Sequence, residues 1–405
     1  MLFVHLLIIV QEIAALLVAV PVVLLLIECV ASLFPRPQSV SESDRSATVA
    51  VLVPAHNESA LIAATVASIL PQLEQRDRLI VIADNCTDDT AAIATAAGAT
   101  VIERSDSQRR GKGYALACGV DWLRPAPPEV LIVCDADLEA PPDTVAKLTN
   151  QVLQTNQAAQ AQYILSAERG ADTKQVISSL AFLVKNIVRP MGLDRIGMSV
   201  PLTGTGMAFP WIAIAQTRLA NGHLAEDMLL GVRMHRAGFG PRLCRSVTIR
   251  GALPCSAEAA LQQRTRWEHG HLGALLSASL PLFIEGIRRR RLALMVAALD
   301  YAVPPLALLV LFWGAITSVS LLTGFTCRVW GALWLNGASG IMLAVAILLA
   351  WRAHAKHLPF SALLRVPFYI LWKLPIYARF VIRRQTEWIR TPRAAPLDPT
   401  SASRF

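Results

Sequence analysis

The sequence predicts an α/β domain built on a doubly wound, mostly parallel sheet, joined to apolar helices that lie in or on a membrane. Three observations carry that prediction. Between Thr48 and Gln154, short apolar runs alternate with helical stretches, a pattern that specifies parallel strands covered by helices on both faces. The run Val130-Leu131-Ile132-Val133-Cys134 is wholly apolar and stops at Asp135-Ala136-Asp137, as a strand buried on both faces at the centre of such a sheet would. Finally, 54% of the 405 residues are hydrophobic, too large a share for a soluble chain of this length.

Taken in order, Leu2 to Phe34 is apolar, and Ile13 to Phe34 is long enough to cross a bilayer. No Lys or Arg precedes Arg36. This predicts a retained anchor over 1–34 with its amino end outside and the following domain in the cytoplasm, in a bacterial inner membrane. A Pro/Ser-rich linker covers 35–47. Strands are expected at 48–53, 79–83, 99–102 and 130–134, and helices at 58–73, 89–97, 113–123 and 144–154. A further strand at 163–167, a glycine-rich loop at 202–209 and a helix from Glu226 complete a domain over 48–260. Interfacial helices follow at 261–291, then a transmembrane hairpin over 292–351 with segments 292–322 and 329–351. The last part, 352–405, is an interfacial or re-entrant helix at 363–382 and a basic cytoplasmic tail. This makes three spans.

The net charge of +9 does not point to nucleic acid. Lys and Arg gather at 288–291, at Arg352 and Lys356, and from Lys373 to Arg393, beside apolar segments, where they suit anionic lipid headgroups. The seven cysteines are scattered, odd in number and without metal-ligand spacing, which fits a reducing compartment. A transporter is disfavoured, because ionisable residues are scarce within the spans apart from Asp300.

The chemistry concentrates at the carboxyl ends of the strands, where open α/β sheets bind ligands. Asp135 and Asp137 lie one residue apart on the same side of an extended segment and can share a hard divalent cation, Mg2+ or Mn2+, against a diphosphate. Lys112 stands between two glycines within reach of a phosphate. Asp88 and Asp89 read as turn and cap residues for the next helix.

In order, Pro54-Ala55-His56-Asn57-Glu58, Asp84-Asn85-Cys86-Thr87-Asp88, Asp135-Ala136-Asp137, Glu226-Asp227 and Gln262-Gln263-Arg264-Thr265-Arg266-Trp267 resemble the motifs of the processive family 2 glycosyltransferases. These inverting GT-A enzymes include cellulose, hyaluronan and poly-N-acetylglucosamine synthases. The resemblance covers about residues 48–275. It implies a membrane-bound enzyme moving a sugar from a nucleotide donor, UDP-linked for preference, to a lipid-linked or glycan acceptor. It further implies that Pro54, His56, Asn57, Glu58, Asp84, Lys112, Asp135, Gln262, Arg264 and Arg266 bind the donor, and that Asp135 and Asp137 hold the metal. Asp227 becomes the base that takes the proton from the attacking hydroxyl. Glu226, Gly204, Thr205, Gly206 and the ring of Trp267 are expected on the acceptor side. The family's Thr-Glu-Asp reads Ala225-Glu226-Asp227 here, which removes one hydroxyl. Membrane lipids, and either assembly partners or a second copy of the chain, are the expected company. Two alternatives remain open at this stage: transfer to polyprenyl phosphate, and a non-catalytic nucleotide-sugar-binding subunit.

Overall fold

The computed structural model describes residues 2–34, 47–166, 172–252, 256–356 and 358–385. The expected linker up to residue 46, Cys255 and the basic tail beyond Gln385 lie outside the described residues. The chain divides into two units. One contains 37–166, 200–270 and 385–405; the other contains 1–36, 167–199 and 271–384.

The first unit is a seven-stranded sheet of β1 (Val49–Ala55), β2 (Arg78–Asp84), β3 (Thr100–Arg104), β4 (Val130–Val133), β5 (Ala159–Ser166), β6 (Met207–Pro210) and β7 (Arg242–Ala252), in the order β3-β2-β1-β4-β6-β5-β7. The first four are parallel, β6 runs antiparallel to β4 and β5, and β7 is parallel to β5. Side chains alternate strictly between two cores, as strands covered on both faces require. Val49, Val51 and Val53 of β1, with Val130 and Ile132 of β4, pack on Ile62, Val66, Leu148 and Val152. Ala50 and Leu52, with Leu131 and Val133, pack on Leu116, Val120, Leu123 and Met234 of the opposite helices. In parallel register, Ala55 pairs with Ala83 and Leu52 with Val133. Three strands therefore end at one edge.

Several boundaries differ from expectation. The central strand ends at Val133, so Cys134 and Asp135 already belong to the loop. The first helix starts at Ile62 rather than Glu58, because Glu58 and Ser59 donate their backbone N–H groups to Thr90 (2.8 Å) and Asp88 (3.2 Å) instead of opening a helix. Part of the expected glycine-rich loop is β6, whose four residues are fully buried against β4. Strand β7 was not expected, since Arg242, Arg245 and Arg250 interrupt its apolar pattern.

The second unit is helical. Among the described residues, five helical segments have the length and hydropathy to cross a membrane: His5–Ser32, Thr173–Arg195, Glu258–Arg288, Leu306–Cys327 and Gly331–His354. Three were expected. Thr173–Arg195 escaped notice because Lys174, Lys185, Arg189 and Arg195 break its hydropathy. The expected span 292–322 is split at Val303–Pro305 into Leu292–Ala302 and Leu306–Cys327, as consecutive prolines dictate. The 363–382 segment is a four-residue helix followed by Val366–Ile382.

Within this unit a buried ion triad joins three segments distant in sequence. Arg189 Nε meets Glu28 at 2.6 Å and its Nη2 meets Asp300 at 2.5 Å, while Nη2 also donates to the Asp300 carbonyl at 2.9 Å. A Cβ at Gly192 would strike the Glu28 carbonyl, so the backbones close tightly beside the triad. Removing one member of a buried charge cluster typically costs about 3–5 kcal/mol, whereas replacing the whole cluster by apolar groups costs far less. Arg189→Met should therefore sharply lower the thermal inactivation temperature of detergent-solubilised protein. The triple change Glu28→Leu, Arg189→Met, Asp300→Leu should recover most of that loss; if the triple variant is as unstable as Arg189→Met alone, the account is wrong.

Candidate active site

The site is assembled at the shared edge of β1, β2 and β4. Asp135 lies two residues past the end of β4. Its backbone N–H donates to Thr205 Oγ1 at 3.1 Å, and the preceding N–H, of Cys134, donates to the Leu52 carbonyl at 3.1 Å. Ala136 and Leu138 are buried, while Asp135 and Asp137 are half-buried and point the other way. The turn is held from behind: Thr65 Oγ1 donates to the Ala136 carbonyl (2.9 Å), and the Ala140 N–H donates to Ser68 Oγ (2.9 Å).

Lys112 opens the helix Lys112–Leu123 after Gly111, whose φ of 122° is ready only for glycine. Its ammonium pairs with Asp135 Oδ1 and donates to the Gly204 carbonyl at 2.6 Å. Gly113 is set by packing, since a Cβ there would come within 2.7 Å of the carbonyl oxygens of Leu219 and Asn221. Burial opposes the charge on Lys112, but Asp135, Glu226 and Asp227 outweigh it and raise the pKa. Asp227 Oδ2 lies only 3.6 Å from where a Cβ on Gly204 would stand, so Lys112, Asp135, Gly204 and Asp227 converge although they are far apart in sequence.

Glu226 and Asp227 form the first turn of the helix Glu226–Ala237. Burial, and then the neighbouring Asp227 charge, push the Glu226 carboxyl up to about 7, while Lys112 and Arg266 pull it down. Arg266 therefore acts electrostatically within this site. A Cβ on Gly270, one helical turn beyond Arg266, would come within 3.2 Å of Ala225, and Arg266, Trp267 and Gly270 share one face of the helix Ala257–Ala274. Arg264 is buried and, two residues from Arg266, projects to the opposite side of that helix. The two arginines expected on the donor side thus leave the helix on different faces. Gln262 is exposed and reaches Glu258 at 3.5 Å.

The other predicted residues are placed as follows. Pro54 is in β1. His56 Nδ1 donates to the Asp84 carbonyl at 2.7 Å. Asn57, at φ 56°, accepts from the Thr87 N–H at 2.7 Å, so Asn57 and Glu58 bind the loops after β1 and β2 to one another. Asp88 accepts from Thr90 and Ser59, as its turn role requires. Asp89 occupies the cap position but makes no side-chain cap bond. Thr205 has no exposed surface and Gly206 is wedged against Ile249 and Ala161. These two support Asp135 and the core rather than facing an acceptor; of the three, only Gly204 borders the cleft.

Sequence reasoning passed over Gln160 and Arg104. Gln160 is buried and fixes the loop, accepting from the Thr203 N–H (2.9 Å) and donating to the Thr205 carbonyl (2.8 Å). Arg104, the last residue of β3, pairs with Asp84. Among the described residues no three His, Cys, Asp or Glu side chains gather as a metal set. Two carboxylates with a cation already drawn to one of them nonetheless suit an ion that takes its remaining oxygens from a diphosphate and water.

Residues 46–270 match the sequence profile described as glycosyltransferase like family 2, over half of the chain. The chain belongs to that family. Residues 215–349 also match the cellulose synthase profile. The glucosyl-3-phosphoglycerate synthases of Mycobacterium tuberculosis and Mycobacterium bovis are 36% identical to the transferase over 102 residues, 23% of this chain and 30% of theirs. The match thus spans less than a third of those relatives' length. A mannosyltransferase from Pyrobaculum calidifontis, solved in complex with GDP-Man and Mn2+, covers 91% of this chain and 100% of its own at 18% identity and a TM-score of 0.52, which shows the shared GT-A fold. Glucosyl-3-phosphoglycerate synthase from Mycobacterium tuberculosis, solved with Mn2+, UDP and phosphoglyceric acid, aligns over 55% of this chain and 78% of its own at 23% identity and a TM-score of 0.37. The protein is thus a family 2 glycosyltransferase with candidate membrane helices.

The raised carboxyl of Glu226 gives a pH signature. The folded state holds its proton more tightly than the unfolded chain, so the stability tied to that proton is full below about 4.5 and is lost as pH rises through about 7. Glu226→Gln should be more stable than the parent at pH 8, by about 1–2 kcal/mol after allowing for partial solvent screening. The two should melt alike near pH 4.5, and an unchanged difference across that range would contradict the assignment.

Proposed function

We propose that the transferase is an integral membrane, inverting enzyme on the cytoplasmic face of a bacterial inner membrane. It moves a sugar from a UDP-linked donor to a hydroxyl of a glycan or lipid-linked acceptor. The observation that carries this reading is the meeting of Asp135, Gly204 and Asp227 around Lys112.

Asp135 and Asp137 would hold Mg2+ or Mn2+, which when bound neutralises the diphosphate as ligand and as leaving group. Lys112, already in the cleft, turns its ammonium to a phosphate oxygen, and Arg266 adds a second cation from the neighbouring helix face. Asp227 accepts the proton of the acceptor hydroxyl as it attacks the anomeric carbon. Glu226, which keeps its own proton to about pH 7, spares Asp227 a second negative charge alongside. Trp267, on the face it shares with Arg266, offers an apolar surface on which a sugar ring can stack.

Purified full-length protein with Mn2+ or Mg2+ and a panel of nucleotide sugars should release nucleotide and yield a product identifiable by mass spectrometry. Asp227→Asn should lower transfer by roughly a hundred- to ten-thousand-fold while donor binding persists. Normal transfer by that variant would remove Asp227 from the base role, and a phosphate-linked product would make the acceptor a polyprenyl phosphate.

A further inference from the structure

Residues 218–225, which lead into the helix Glu226–Ala237, form neither helix nor strand. They are held by side chains instead, each reaching a backbone group two residues away. Asn221 Nδ2 donates to the Leu219 carbonyl at 2.6 Å, Asn221 Oδ1 accepts from the His223 N–H at 3.1 Å, and His223 Nδ1 accepts from the Ala225 N–H at 3.1 Å. This ladder begins beside the cation of the site and ends at its acids. A Cβ on Gly113 would come within 2.7 Å of the Leu219 and Asn221 carbonyl oxygens and 3.0 Å of Asn221 Nδ2, and one on Gly111 would stand 3.8 Å from the Gly222 Cα. The upstream end is therefore laid on both neighbours of Lys112. At the downstream end Ala225 is buried and immediately precedes Glu226 and Asp227. Asp227 Oδ1 accepts from the next N–H, of Met228, at 2.8 Å, so its carboxylate follows the backbone of this turn.

We infer that His223, itself held by Asn221, is a positioning residue for the transfer step: through Nδ1 it fixes the entry to the helix 226–237, and so the Asp227 carboxylate, relative to the turn that carries Lys112. The inference rests on the reading of Asp227 as the base. Alanine at position 225 brings no side-chain oxygen to cap this helix, so the turn is held from outside, by the imidazole. Because the Ala225 N–H donates to Nδ1, that nitrogen is the bare one and the ring hydrogen sits on Nε2. The role needs an acceptor at the place of Nδ1 rather than an imidazole as such. Asparagine sets its amide oxygen at that place, whereas glutamine sets it one bond further out, at the level of Nε2. Displacing a reacting group by about 1 Å can cost about a hundredfold in rate without loosening the donor, which makes the two amides a sensitive pair of probes.

The test is steady-state transfer with Mn2+ and whichever UDP-sugar the parent turns over fastest, on detergent-solubilised full-length protein and its His223→Asn, His223→Gln and Asn221→Ala variants, with UDP affinity measured separately by titration calorimetry. His223→Asn should keep at least about a third of the parent kcat. His223→Gln should lose about ten- to a hundredfold in kcat while its UDP affinity stays within about twofold of the parent. Asn221→Ala should lose about three- to tenfold in kcat with the same preserved affinity. If His223→Gln does not fold, judged by thermal unfolding, the values for His223→Asn and Asn221→Ala decide. Parental kcat in His223→Gln, equal losses in the two amide variants, or a fall in UDP affinity that matches the fall in kcat would overturn the inference and leave the transferase reading intact. A parent that transfers no sugar, or an Asp227→Asn variant that transfers normally, would overturn that reading and the inference with it.

Discussion

The organising interaction is a charge that cannot stand alone. Lys112 sits largely out of solvent, where an ammonium group is tolerated only beside opposite charge. It obtains that company from Asp135, from the Gly204 carbonyl and from the field of Glu226 and Asp227. Each partner comes from a different loop, so the need to compensate one cation holds the loop after β4, the 203–206 turn and the start of the 226–237 helix in a common geometry. The acids are held close together, and burial beside Asp227 pushes the Glu226 carboxyl up to about 7.

Around that centre the scaffold supplies stiffness in layers. The parallel strands present their ends at one edge because the cores on both faces leave no freedom of register. The loops they open into are then knitted by side chains reaching across, as Asn57 reaches Thr87 and as Gln160 reaches both ends of the 203–205 turn. Glycine appears where a side chain would not fit, at Gly113 under the 219–221 backbone and at Gly206 against Ile249. Catalytic geometry of this kind is made by residues that never touch substrate.

Much of this could be read from the order of residues. β1, β2 and β4 announce themselves by uninterrupted apolar runs, and the acids at their ends follow from where such sheets bind ligands. What stayed hidden depends on partners distant in sequence. Thr205 and Gly206 read as a permissive turn, and only burial shows that they face inward. Arg264 and Arg266 read as a pair, and only the helix separates them. Strand β7, with three arginines, and Thr173–Arg195, with four basic residues, look unlike their structural class until the neighbours that accommodate their charges are known. Arg104 gave no motif at all, because its partner Asp84 belongs to another strand.

The insertion of 167–199 between β5 and β6 bears on how the molecule is made. As the ribosome delivers the chain, β1 to β5 emerge first, but β4 and β5 cannot be bridged until β6 arrives, after an apolar excursion bearing Arg189, whose partner Asp300 is translated later still. The sugar-transferring half is thus not a continuous stretch that can be cut out and produced alone. Its sheet closes only after a segment belonging to the helical half has been synthesised and sheltered, which couples biogenesis of the two and leaves an incomplete sheet edge exposed during synthesis.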